Sequence, residues 1–179
     1  SLIDSFTWPD TALAYTGLGM ASTPGTCLAG AVDHLEIQHG SGSGVTCAPS
    51  TATLVACANA SCSSRFTGGI SGTFTATGSG TSVNFPSGPS FTIPAGSSST
   101  AMSFQATSAS SVLLGSTNLS ITPRNNVSCN FPAAGTNCTF TTAESGLLFD
   151  APNHASNTSQ LMSVAAVRKA DNALVCVPA

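Results

Sequence analysis

Along most of this chain apolar and polar residues alternate, giving the side-chain period of two that marks a half-buried β-strand. The pattern is clearest at 69–76, where Ile70, Gly72, Phe74 and Ala76 fall on one side and Ser71, Thr73 and Thr75 on the other. It puts Met102, Phe104 and Ala106 on one face of 101–107. At 31–38, Val32, His34 and Glu36 share a face while Leu35 and Ile37 interleave. Further strands are expected at 51–58, 83–85, 91–93, 112–114, 119–122, 139–142, 147–149, 161–168 and 174–177. No sustained i, i+3, i+4 apolar spacing predicts a helix. Turn-forming clusters stand between the strands at 40–44, 78–80, 86–89, 94–97, 132–135 and 169–172. Many short strands punctuated in this way predict an all-β fold, an antiparallel immunoglobulin-like β-sandwich with local disulfides.

The pattern assigns 28–179 to that sandwich and leaves 1–27 apart as an N-terminal arm or linker. The arm holds the only tryptophan and the only tyrosine, Trp8 and Tyr15, and ends in a Ser/Thr/Pro/Gly linker at 22–26. It belongs to a preceding module, packs on its own domain as ordered terminal segments commonly do, or completes a neighbouring sheet edge. The chain opens without an initiator Met, a basic leader or a hydrophobic signal core, and is read as a processed piece of something longer.

Composition narrows the function classes. A length of 179 residues suits one domain or two small ones. Hydrophobic residues make up 41% of the chain, which suffices for a core, but charged residues only 6%, against about 25% in ordinary domains. With a net charge of −3 the chain lacks the signature of disorder. Hydroxyls, amides and backbone must therefore face water where ions usually do. The basic residues Arg65, Arg124, Arg168 and Lys169 are scattered, so no stripe tracks phosphates and nucleic acid is not an expected partner. The longest apolar runs, at 147–149 and 163–167, fall far short of the ~20 residues of a membrane-spanning helix.

Seven cysteines, at 27, 47, 57, 62, 129, 138 and 176, carry more information. Their close spacings, C-x4-C for Cys57 and Cys62 and C-x8-C for Cys129 and Cys138, differ from the C-x2-C pairs of zinc sites. They suit short loops closed by disulfides in an oxidising, extracellular compartment. Each such loop contributes about 2–3 kcal/mol on the chain-entropy model. A third bridge from Cys47 to Cys176 would join the two ends of the domain, worth about 5 kcal/mol on the same model. Cys27 is then left over, as a free thiol or a partner for a cysteine elsewhere; pairing of Cys27 with Cys47 stays open.

The densest ionisable cluster is Asp33, His34, Glu36 and His39. On a strand His34 and Glu36 share a face, and a metal site built on them needs further ligands such as Asp150 or His154. A polar face on an edge strand accounts for the same residues more simply. The loop formed by Asp150, Asn153 and His154 offers oxygens and nitrogens for calcium or a sugar hydroxyl, although a turn held by Asx hydrogen bonds needs nothing more. No catalytic constellation emerges. Residues 40–44 imitate a Gly-x-Ser-x-Gly elbow in letters alone, without the following helix. The acids show no spacing that places two across a cleft, and the glycine-rich 77–81 lacks a phosphate-loop lysine. Neither an enzyme nor a cofactor is expected. Five N-x-[ST] sequons, at Asn59, Asn118, Asn126, Asn137 and Asn157, arise readily in a Ser/Thr-rich chain and decide nothing.

Several phrases of the sequence, in order, resemble the repeated module of MshQ-like proteins. These are large bacterial surface proteins linked to biogenesis of the mannose-sensitive haemagglutinin (type IV) pilus. The phrases are Val32-Asp33-His34-Leu35-Glu36-Ile37, Gly44-Val45-Thr46-Cys47-Ala48-Pro49 and Val55-Ala56-Cys57-Ala58-Asn59-Ala60-Ser61-Cys62. Later come Phe66-Thr67-Gly68-Gly69, Cys138-Thr139-Phe140-Thr141-Thr142-Ala143, Gly146-Leu147-Leu148-Phe149 and Ala165-Ala166-Val167-Arg168-Lys169, ending at Cys176. The likeness covers about 30–179. It implies an exported, multi-domain surface protein, often with a lectin-like domain before this module, and carries over no catalytic residue. Relatives can have extra cysteines near 129–138, where this chain has only the pair. The partners so implied are neighbouring domains of the same surface protein, pilus components, surface glycans, or a second copy through strand pairing.

Overall fold

The computed structural model describes residues 31–150, 159, 161–171 and 174–179. Among them are fourteen strands and no helix. In chain order these are β1 (His34–Gln38), β2 (Ser43–Val45), β3 (Ser50–Cys57), β4 (Ile70–Gly78), β5 (Val83–Asn84), β6 (Ser90–Ile93) and β7 (Ser99–Ala106). Then follow β8 (Ser110–Thr117), β9 (Ser128–Asn130), β10 (Ala134–Gly135), β11 (Thr139–Ala143), β12 (Ser145–Asp150), β13 (Ser163–Lys169) and β14 (Cys176–Pro178). A six-stranded sheet runs β10-β9-β1-β3-β7-β5, a five-stranded sheet β2-β11-β8-β4-β6, and a three-stranded sheet β12-β13-β14.

The alternation read from the sequence decides what lies between the two larger sheets. The six-stranded sheet contributes Leu35, Ile37, Leu54, Met102 and Phe104, and the five-stranded sheet Ile70, Phe74, Val112, Leu114 and Phe140, to one buried cluster. Phe104 stands edge-on to both neighbours, its ring centre 5.8 Å from Phe74 and 5.0 Å from Phe140. Such T-shaped contacts add to burial because the positive ring edge meets the negative face. The Cys129–Cys138 bridge belongs to the same cluster. Cys129 lies in β9 of the first sheet and Cys138 immediately before β11 of the second, so the bridge is a covalent staple between layers.

Most pairings are antiparallel, but two are parallel, β1 with β9 and β2 with β11. Both depend on short strands that alternation does not reveal: β2 lies partly in the turn expected at 40–44 and β10 in that expected at 132–135, and β9 matched no expected element. The strand expected at 119–122 is absent. Asn118 takes a positive φ of 52° at the end of β8 and turns the chain out of the sheet. Leu119 then packs against the core from a loop, with Ser120 N–H bonded to the Ser71 carbonyl (2.9 Å).

The third sheet continues directly from β11 and packs through Val167, which is 7% exposed. Gly146 permits its close approach, since a Cβ there would lie 2.7 Å from Val45 Cγ1. Truncating the shared aromatic of the core tests this packing. Phe104→Ala should lower unfolding stability by about 3–5 kcal/mol, read from urea denaturation without reductant; a loss well below that would mean the layers do not rest on these rings.

Candidate functional site

β1 opens with the residues that carry most of the ionisable chemistry. His34 is 4% exposed and sits opposite Cys57 of β3. Its Nδ1–H donates to Asp33 Oδ1 at 2.7 Å, and Asn125 Nδ2 donates to the same oxygen at 3.2 Å. The bond from His34 is the main cause that holds the Asp33 carboxyl below its ordinary value; burial, the next largest effect, opposes it, and the Asn125 bond and the charges of His34 and Arg124 add to the lowering. Glu36 lies two residues on along the same face, 7% exposed, and accepts from Gln38 Nε2.

The Cys57–Cys62 bridge closes the loop after β3 beside this cluster. One nitrogen of His34 and the two sulfurs lie within 4.8 Å of one another, and Arg65 Nη1 approaches Cys62 Sγ to 2.8 Å. The sulfurs are bonded to each other and hold no thiolate, so the trio as joined does not offer a zinc donor set. Asp150 ends β12 in the three-stranded sheet, opposite Ser163, whereas Asp33, His34 and Glu36 belong with the six-stranded sheet. Asn153 and His154 lie outside the described residues, as does Cys27.

A second cluster ties the third sheet to the sandwich. Cys47, in the loop after β2, is joined to Cys176 of β14 across 129 positions of sequence. Next to it Gln105 is 6% exposed, and its Nε2 donates to the Thr46 carbonyl (2.7 Å) and the Leu174 carbonyl (3.0 Å). One amide therefore bridges the residue before Cys47 to a residue just before Cys176. Lys169 Nζ donates to the Thr107 carbonyl at 2.6 Å. Neither Gln105 nor Lys169 is marked by sequence, because a polar residue in an alternating strand reads as outward-facing. His39, beyond the end of β1, packs edge-on against Phe140 at 4.8 Å and accepts backbone N–H bonds at Nδ1 from Ser41 (3.2 Å) and Gly42 (3.0 Å). Burial lowers its pKa.

The described surface offers shallow grooves. One of about 450 Å³ is lined by Thr77, Ser111, Leu113 and Thr139 on the five-stranded sheet. Another of about 560 Å³ lies among Ser43, Val45, Thr141, Leu147 and Phe149. Neither lining holds a charged residue, so their chemistry is confined to hydroxyl and backbone hydrogen bonds and apolar contact.

These features define the chain as a disulfide-braced, all-β sandwich module with an attached three-stranded sheet. It belongs to the family described as a domain of unknown function (DUF8613), which matches residues 32–123. Residues 126–179 match a second family, described as a domain of unknown function (DUF6701), first Ig-like domain. No curated protein and no solved structure matches the chain.

Two outcomes follow from this geometry. Replacing Cys47 and Cys176 together by serine should cost up to about 5 kcal/mol, since the bridge closes a loop of more than a hundred residues in the unfolded chain; denaturant unfolding under oxidising conditions measures it. For His39 the folded ring resists a proton that the unfolded ring accepts below its ordinary pKa of about 6.5. Stability should therefore be full above that value and decline as the pH falls below it, and His39→Gln should flatten the urea midpoints between about pH 7.5 and about pH 5.5.

Proposed function

We propose that this chain is an extracellular structural and adhesive module of a large bacterial surface protein of the MshQ-like, pilus-associated kind, acting without catalysis or cofactor. The observation that carries the reading is the Cys47–Cys176 bridge, which locks the third sheet to the sandwich across 129 positions. A fold that relies on a bridge of that span is suited to an oxidising compartment, where such bonds form and persist. The sparsely charged surface supports the same reading, because hydroxyls and amides keep their character whatever the pH or salt outside the cell. Its partners in this role are the neighbouring domains of the same protein, pilus components, and surface glycans reached through the hydroxyl-lined grooves. Pairing of the arm at 1–27 with a neighbouring sheet concerns residues outside those described.

The experiment is done on cells that make the protein. An antibody raised against 31–179 should label intact cells, and a membrane-impermeant thiol reagent should reach Cys47 and Cys176 only after dithiothreitol is added. Deleting the segment should reduce attachment of the cells to glycan-coated surfaces. Labelling that appears only after permeabilisation, with both cysteines already free, would sink the extracellular reading. Normal attachment after deletion would remove adhesion and leave a spacer.

A further inference from the structure

The sheet edges of this protein are unequal. Exposed strand edges invite pairing with another chain, and proteins blunt them with short strands, prolines or charge. Here the edge strands of the two large sheets are all short and stand near prolines. β5 has two residues and β10 two, beside Pro86 and Pro132. β6 has four, between Pro89 and Pro94, and β2 three, ahead of Pro49. β14 has three, ends on Pro178 and is held by the Cys176 bridge. β12 departs from this rule. It has six residues, contains no proline, pairs only with β13 among the described residues, and carries Leu147, Leu148 and Phe149 in succession, 57%, 37% and 62% exposed.

We propose that the free edge of β12 pairs antiparallel with β12 of a second copy of this chain, closing a two-fold dimer. Charge and register point to this occupant. Ser145–Phe149 carries no charge, and in the register centred on Leu148 the strand's one acid, Asp150, falls opposite Gly146 of the second copy, so two copies oppose no like charges across the pair. With Leu148 opposite its own counterpart, Leu147 faces the second copy's Phe149 and the reverse. Opposed residues of an antiparallel pair share a face, so aliphatic meets aromatic on one side of the joined sheet. Val164, opposite Phe149 on β13 and half exposed at 50%, widens the same apolar face. The three-stranded sheets become one six-stranded sheet, and because the two-fold uses the same surface on both copies, assembly stops at the dimer. The contact is small, at the low end of specific interfaces (below about 1,200 Å²), so the dimer dissociates on dilution. The inference does not rest on the surface-module reading.

Sedimentation equilibrium of the full chain over a wide concentration range tests it. A monomer–dimer equilibrium is expected, and Leu147→Lys with Phe149→Lys should weaken the dimer by at least about tenfold while the far-ultraviolet spectrum and urea midpoint stay as they were. A second variant reads the register: Leu148→Cys in a Cys27→Ser background brings two thiols into opposition at the two-fold, within disulfide reach. Mild oxidation should then cross-link the dimer, and Ser159→Cys should not cross-link. A chain that stays monomeric throughout and fails to cross-link through Leu148→Cys overturns the proposal, as does a dimer that survives both lysines.

Discussion

Scarcity of charge is the constraint to which the rest of this structure answers. Between Arg65 and Arg124 there is not one acidic or basic side chain, yet that stretch supplies β4 to β8, three strands of the five-stranded sheet and two of the six-stranded one. A sheet without charges has few means of discouraging the approach of another sheet, and shortness and proline remain. The strands at the margins of the two large sheets show both. The same scarcity appears as uncharged polar groups, one buried and one half-buried, placed where they bond to backbone. Gln105 reaches two carbonyls, and His39 accepts two backbone amides.

The three disulfides divide the covalent work among different levels of the fold. Cys57–Cys62 restrains one loop at the end of β3, five positions apart. Cys129–Cys138 spans only nine positions but crosses from one layer of the sandwich to the other. Its effect is therefore larger in space than in sequence, fixing the distance between layers beside Phe140 and Ile37. Cys47–Cys176 has the longest loop to restrain and holds an element with little burial of its own: in β13 only Val167 is fully buried among its described side chains. On the chain-entropy model stabilisation grows only slowly with loop length, so this bridge matters chiefly by its position. It acts with the Gln105 amide, and the two hold the third sheet at neighbouring points.

Period-two alternation makes the core legible in the amino-acid sequence alone. Phe74, Met102 and Phe104 point inward as their spacing requires, and Leu35 and Ile37 do so from β1. What the pattern hides has specific causes. β2, β9 and β10 have two or three residues each, too few for alternation to be seen, and they are strands because β11, β1 and β9 respectively present backbone to them. The strand expected at 119–122 fails at Asn118, one of the residue types that tolerate a positive φ, and no hydrophobic pattern reports such a turn. In the candidate site, adjacency in sequence places Asp33 with His34, but Asn125 joins them from 92 positions away and Arg65 reaches the disulfide from beyond it. Such partners depend on strand pairing across the fold, which a sequence read residue by residue does not contain.

The two family matches divide the chain between β8 and β9, and the hydrogen bonds do not respect that division. β9 lies beside β1, β11 beside β8, and both bring core residues, Cys129 and Phe140. A fragment ending near residue 123 would lose the layer-crossing bridge, turn β1 and β8 into exposed edges, and leave Phe104 without one of its two aromatic neighbours. Only β12, β13 and β14 of the stretch matching the Ig-like domain remain outside the sandwich. An immunoglobulin-like unit buries one sheet face against another, whereas this sheet turns Leu147, Phe149 and Val164 outward. The first family's segment is therefore completed by strands from the second. The second segment, having given up those strands, is left with one apolar sheet face and one long edge for which the described residues hold no cover.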